Sequence, residues 1–147
     1  MIRPAEMRDI CRLSEIEISN YRLFFYPIFK NDEFYFDELQ VSNMMEDYRK
    51  DETLIQQTWV YDDGVVKGFI RIDGLQIKKL FVEPVLQGNR IGSELLRFAV
   101  GQMDARFLWA LEKNTRAITF YQRHGFRLTS EKMLEEDTDE FLVNLIR

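Results

Sequence analysis

The chain has 147 residues, a length that fits one domain, 1–147, with one sizeable core. Hydrophobic residues are 46% and charged residues 31%, and 20 basic against 25 acidic side chains leave a net charge of −5, which speaks against coating nucleic acid. One Cys and one His are too few for a Cys/His zinc site or a disulfide framework, and leave no metal expected.

The single Cys fits a reducing, cytoplasmic setting. No apolar run reaches the roughly 18 residues that a membrane span needs. The opening stretch carries charge from Arg3 and does not read as a secretory signal. Neither a membrane nor a nucleic acid is expected as a partner.

Met1 to Arg3 reads as a short strand stopped by Pro4. Residues 5–20 read as a helix, with Ile10, Leu13, Ile16 and Glu17 at helical spacing. Cys11 lies near the apolar face and reads as a small buried hydrophobe. Residues 21–36 hold eight aromatics in sixteen positions, and Pro27 is expected to break any helix there. Two readings stay open: a loop that drops its rings into the core, or an aromatic-walled pocket on a mobile segment.

Residues 33–49 read as a second helix. Thr53 to Asp62 has strand vocabulary, and Asp62-Asp63-Gly64 is a hairpin turn. Val65 to Ile72 returns as a strand, Asp73-Gly74 turns again, and Leu75 to Val82 follows, giving an antiparallel meander that ends at Pro84. From Ile91 the pattern is helical, with Ile91, Leu95, Phe98, Ala99 and Met103 on one face. Phe107 to Leu111 is a continuous apolar strand of the kind buried on both faces. Asn114 caps the next helix and Gly125 ends it. Strands at Phe126 to Leu128 and Phe141 to Ile146 flank a polar turn. The order is β-α-α-β-β-β-α-β-α-β-β, an α+β domain with a mixed, mainly antiparallel sheet and helices on its faces.

The stretch richest in chemistry runs from Leu75 to Phe126. A strand feeds Gln87-Gly88-Asn89-Arg90-Ile91-Gly92, and a helix follows. A tight turn into a helix N-terminus offers free amides and a partial positive charge to an anion. Arg90 adds a formal charge. No Lys-Ser/Thr pair follows Gly92, so this is not a nucleoside-triphosphate loop, and the glycine spacing is not that of a dinucleotide fold.

Gln87 to Gly92 resembles the Q/R-x-x-G-x-G/A pyrophosphate loop of the GNAT superfamily of N-acetyltransferases. Leu80-Phe81-Val82-Glu83-Pro84 resembles its L-[FY]-V-x-P strand end. Residues 114–126 resemble its N-x-x-A-x-x-F-Y-x-x-x-G-F segment, and Ile2-Arg3-Pro4-Ala5 its usual opening. The element order extends the resemblance over the whole chain, closest to small bacterial members. One departure is Arg90, where the family's middle glycine would stand; the backbone there is expected to suit a non-glycine residue.

The resemblance implies acetyl-coenzyme A as acyl donor, lying in a gap between the strands at 76–83 and 107–111. The backbone of Leu80, Phe81 and Val82 would pair with its pantetheine arm, with the Val82 amide on the thioester carbonyl. Amides of Gln87, Gly88, Asn89, Arg90, Ile91, Gly92 and Ser93 would hold the pyrophosphate. Asn114, Ala117 and Phe120 would line the thiol end. Tyr121 would be the general acid, since a phenol stays protonated at neutral pH and can donate to a departing thiolate. Glu83 is the candidate base. Tyr21, Phe24, Phe25 and Tyr26 would wall the acceptor side, for a small-molecule or peptide amine. Arg116 and Arg123 are read as facing water. His124 is read as a helix-end residue rather than a catalytic one.

The leading expectation is therefore an N-acetyltransferase acting by direct amine attack in a ternary complex. The alternative is a non-catalytic acyl-coenzyme A binding or sensing module of the same fold. A transferase acting on charged transfer RNA ranks lower, because the net charge advertises no basic surface. A homodimer is compatible with exposed aromatics.

Overall fold

The structure is a computed structural model that describes residues 1–147. Its centre is a seven-stranded sheet in the order β1-β2-β3-β4-β5-β7-β6. The strands are β1 (Ile2–Pro4), β2 (Thr58–Asp62), β3 (Val66–Asp73), β4 (Gln76–Val82), β5 (Phe107–Leu111), β6 (Arg127–Leu134) and β7 (Phe141–Ile146). All neighbours are antiparallel except β4 and β5. The long helices are α1 (Ile10–Asn20), α3 (Val41–Lys50), α5 (Ile91–Met103) and α6 (Thr115–Arg123), with short α2 (Tyr26–Phe29) and α4 (Glu52–Gln56) between them. This is the expected mixed α+β order. No helix is long and apolar enough to cross a membrane.

Alternation along β3 builds two cores at once. Ile70 and Ile72 point to one face, where they meet Leu95, Leu96 and Ala99 of α5. Phe69 points to the other, with Leu13 and Ile16 of α1 and Tyr48 of α3. A strand that is covered on both faces loses its polar side, which is why Gly68 to Ile72 is buried throughout. Gly68 lets α5 come close. A Cβ there would stand 3.0 Å from the Phe81 carbonyl and 3.3 Å from Ile91 and Leu95 side chains.

Several expectations are corrected. Cys11 is exposed, because it shares the outer face of α1 with Glu15, four residues on. Pro27 does not break the chain's helical course. Residues Tyr21–Phe25 form a widened π-helical turn, and Pro27 then sits in the first turn of α2. The wider turn accommodates a residue with no amide hydrogen and a ring that would crowd the carbonyl four residues back. A left-handed Lys30 (φ 53°) ends this run. The second helix splits into a π-helical turn at Glu33–Glu38 and α3, and residues 52–56 are helical rather than the start of β2. There Asp51 accepts from the Thr53 amide as an N-cap, a local signal that outweighs the strand vocabulary of Leu54-Ile55. β5 is only half covered at Phe107, Trp109 and Ala110, the last two lying beyond Leu108, where β4 leaves its side.

Candidate active site

β4 and β5 are paired only at Gln76↔Phe107 and Ile77↔Leu108. Directly beyond, Lys78 is an extra residue in β4: Ile72 faces Ile77, but Arg71 faces Lys79. Such a bulge bends and twists its strand. β4 therefore swings away from β5 while staying paired to β3 through Leu80, Phe81 and Val82. One edge of these three residues is left without a strand. Glu83 donates its amide to the Lys67 carbonyl of β3 at 2.8 Å. Amides alternate sides along a strand, so the Val82 amide faces the open edge.

The gap opens into a cleft of about 440 Å³. Leu80, Phe81 and Val82 form one wall, Gln87, Gly88 and Arg90 to Ser93 a second, and Asn114, Ala117, Phe120 and Tyr121 a third. The turn ahead of α5 makes its amides available through two left-handed residues, Gly88 (φ 87°) and Arg90 (φ 67°). This corrects the expectation for position 90. The backbone keeps the conformation a glycine would favour, and an arginine adopts it under strain.

Asn20, buried at the end of α1, ties the cleft's two sides. Its Nδ2 donates to the Val82 carbonyl at 2.9 Å and the Ile16 carbonyl at 2.8 Å. Its Oδ1 accepts from Gln87 Nε2 at 3.1 Å, and Gln87 also donates to the Val82 carbonyl at 3.2 Å. Asn114 caps α6 through Oδ1, 3.3 Å from the Ala117 amide, while its Nδ2 makes no bond within the protein. Tyr121 is buried to 8% exposure and lines the cleft with its hydroxyl unpaired within the protein. Burial pushes its phenol well above the usual value.

The charge around the cleft runs against that of the chain. Arg90, Arg116 and Arg123 line it, and no Asp or Glu does. Arg116 stacks over the Phe24 ring at 4.2 Å. Both arginines of α6 were expected to face water. The positions 116, 120 and 123 share one helix face by their spacing, which is the signal that would have placed them beside Phe120. Asn20 carried no sequence signal, because its partners lie 62 and 67 positions away.

Other expected residues are not brought here. Glu83 is paired with Arg12 at 2.9 Å, and Arg12 is itself anchored to the Val66 carbonyl at 3.0 Å; Glu83 does not line the cleft. Asn89 points away and donates to the Leu86 carbonyl at 2.9 Å. Of the four acceptor-side aromatics, Phe24 and Phe25 reach the cleft. Tyr26 instead packs on Tyr35 and Phe36 and donates to Asp32 at 2.5 Å. The Tyr21 hydroxyl turns to the other face of β4. It donates to Glu17 at 2.8 Å and accepts from Lys79 at 2.6 Å, beside a second cavity that also includes Tyr48 and Arg71. Both readings of the aromatic segment thus hold in part: Tyr35 is core, Phe24 and Phe25 are cleft wall. No cluster of three or more His, Cys, Asp or Glu side chains could hold a metal ion.

The family model for the acetyltransferase (GNAT) domain matches residues 55–128, half of the chain. The chain belongs to the GNAT acetyltransferase family. The matched span contains the splayed strands, the turn before α5 and all of α6. A peptidyl-lysine N-acetyltransferase, YjaB of Salmonella typhimurium, is 30% identical over 88 residues, 59% of this chain and 61% of its own length. A second, YiaC of Escherichia coli, is 34% identical over 74 residues, 49% of this chain and 51% of its own. The alignments thus span about half to three-fifths of these relatives.

Solved GNAT structures superpose over nearly the full length. An N-acetyltransferase from Staphylococcus aureus has a TM-score of 0.79 at 13% identity, covering 100% of both chains. Apo YjaB from Escherichia coli has 0.71 at 20% identity, covering 99% of this chain and 95% of its own. PaiA from Thermoplasma acidophilum, solved with coenzyme A, has 0.71 at 17% identity, covering 98% and 96%. The sheet order and its flanking helices are therefore the GNAT fold.

Proposed function

We propose that this protein transfers an acetyl group from acetyl-coenzyme A to a primary amine by direct attack in a ternary complex. The observation that carries the reading is the cleft. A chain of net charge −5 gathers three arginines and a ring of outward amides there, with no carboxylate, beside an unpaired strand edge. That donor set fits a ligand with phosphates at one end and an extended amide-bearing arm at the other.

Acetyl-coenzyme A supplies an activated thioester when bound. On this reading the amides from Gly88 to Ser93, with Arg90, hold its phosphates; the Gln87 amide, expected among them, donates instead to the Pro84 carbonyl at 3.3 Å. The open edge of Leu80 to Val82 pairs with its arm, and the Val82 amide donates to the thioester carbonyl oxygen as negative charge develops there. Tyr121 donates its hydroxyl proton to the departing sulfur. Its raised affinity for that proton keeps the acid form filled at any physiological pH. With Glu83 held by Arg12, no carboxylate in the cleft takes the amine's proton, and water does so.

The YjaB and YiaC relatives are named for peptidyl-lysine, which supports a lysine side chain in a peptide as the acceptor class. Phe24 and Phe25, with Arg116 stacked on Phe24, suit the aliphatic stem of such a side chain. The second reading, an acyl-coenzyme A sensor, is favoured by that same lack of a free carboxylate.

A thermal melt tests the cofactor. Ligand at about a hundred times its Kd adds roughly 2.7 kcal/mol, a rise of several degrees at this size. Acetyl-coenzyme A should give it; ATP and NAD should not. Thiol release with a lysine peptide then separates enzyme from sensor. A shift without release favours the sensor, and no shift at millimolar cofactor overturns both.

A further inference from the structure

Ser93 and His124 are 31 positions apart and meet at the cleft's phosphate end. His124 Nε2 lies 3.0 Å from Ser93 Oγ, and Nδ1 lies 2.8 Å from the Phe120 carbonyl oxygen. A carbonyl only accepts, so Nδ1 carries a hydrogen in every protonation state. In the neutral ring Nε2 is then a bare acceptor. The Ser93 hydroxyl must point its hydrogen at the ring, and it turns only lone pairs to the cleft that it lines. An incoming phosphate oxygen meets those lone pairs. Protonation reverses the arrangement. Nε2–H donates to Oγ, and the hydroxyl hydrogen is free to donate to the phosphate.

We propose that His124 is a proton-linked positioning residue, and that phosphate groups of coenzyme A bind preferentially when its ring is protonated and Ser93 is released as a donor. The inference rests on the cleft being the coenzyme A site. Both ring nitrogens are taken by uncharged groups, so no carboxylate holds the imidazolium in place. The charged residues on the surrounding elements are Glu94 and Arg97 of α5, Arg116 and Arg123 of α6, Arg90 in the turn and Arg127, Glu131 and Lys132 of β6. Glu94 lies against the Tyr61 phenol. A phosphate bound among the three arginines of the cleft brings negative charge to the ring's side of the cleft. Protonation and phosphate binding therefore favour one another.

The chain has a single histidine, so its NMR titration is free of overlap. The midpoint is to be measured without ligand and at saturating coenzyme A, in the wild type and in Ser93→Ala. Dephospho-coenzyme A, which lacks the 3′-phosphate, repeats each arm. The expected shift on binding is upward by about one unit, matching about tenfold tighter binding at pH 5.5 than at pH 8. Near the midpoint, calorimetry in buffers of different ionisation enthalpy should then read uptake of about half a proton. Ser93→Ala keeps the ring and the arginines, so it should lose most of the shift and flatten the pH dependence of affinity. His124→Gln should flatten it too. An equal shift in Ser93→Ala would mean that the arginines and phosphate act on the ring without the hydroxyl, and overturns the inference. So does a wild type that binds without proton uptake. A wild type that binds no coenzyme A at any pH overturns the cofactor reading itself.

Discussion

Tyr121 and Asn20 do different work on the two sides of one cleft. Tyr121 has a hydroxyl with no protein partner in a site without carboxylates, and burial raises its proton affinity. Tyr121→Phe keeps the packing against Phe120 and Phe126 and removes the proton. It should lower kcat by about 100-fold, the low end for general acids because a thiolate leaves readily, with little change in coenzyme A affinity. An unchanged kcat would refute the assignment. At saturating cofactor the rate should rise steadily from pH 6 to about pH 9.5, as the acceptor amine loses its proton and Tyr121 keeps its own. A plateau beginning near pH 7 would point to an enzymic base instead. Asn20 touches the Val82 carbonyl and Gln87 rather than any reacting atom. Asn20→Ala should cost about 1–3 kcal/mol of stability, because buried partners lose their bonds, and should raise the KM for acetyl-coenzyme A more than it lowers kcat. Tyr121 was legible in its motif. Asn20 was not, because a buried amide announces itself only through partners that the fold brings from elsewhere.

Elements were legible where one period dominates. The meander β2-β3-β4, the amphipathic α5 and α6, and the Asn114 cap follow from alternation, 3.6-residue spacing and turn chemistry. The stretch from Tyr21 to Gln56 was not. Its two π-helical turns change the period midway, and its rings divide between core, cleft and surface. The bulge at Lys78 left no mark in the sequence either, yet it opens the cleft by bending β4 off β5. The turn before α5 offers an element-scale test. Arg90 is held at φ 67°, a conformation that costs a non-glycine residue about 1–2 kcal/mol. Arg90→Gly should therefore raise Tm by about 2–8 °C while weakening coenzyme A binding through the lost charge. A fall in Tm would show that the arginine makes compensating contacts in the free protein.

Across the whole molecule, stability is hemmed in at both ends of the pH scale. Burial alone would raise the Asp9 carboxyl, but bonds from Arg3 and the Glu6 amide more than offset it and hold it below the ordinary 3.8. Because the native value is depressed, this contribution is full above the unfolded carboxyl range and is lost as pH falls through the native value. Arg3→Ala should shift the acid unfolding midpoint upward in pH. At the alkaline end burial, and then Glu17, raise Tyr21 well above 10 and Tyr48 to about 12, and burial raises Tyr121 well above the usual phenol value. Raised native values keep that stability full below the unfolded phenol range and lose it as pH rises through them. Stability should thus decline above pH 10, and Tyr21→Phe should reduce the slope of that decline; an equal slope would show that Tyr21 is not among the groups responsible.

What the sequence by itself determined is what short-range chemistry can write. That covers the helix and strand periods, the caps and turns, the loop from Gln87 to Gly92, the segment from Asn114 to Phe126, and the family they mark. Only the tertiary structure decided which residues meet. It withdrew Glu83 to Arg12, turned Tyr21 to Glu17 and Lys79, and carried Arg116 and Arg123 into the cleft. It also brought His124 against Ser93. The physical reason is that a side chain's direction depends on how its element is bent and packed. In β4 one extra residue sets that bend, and no local pattern in the chain records it.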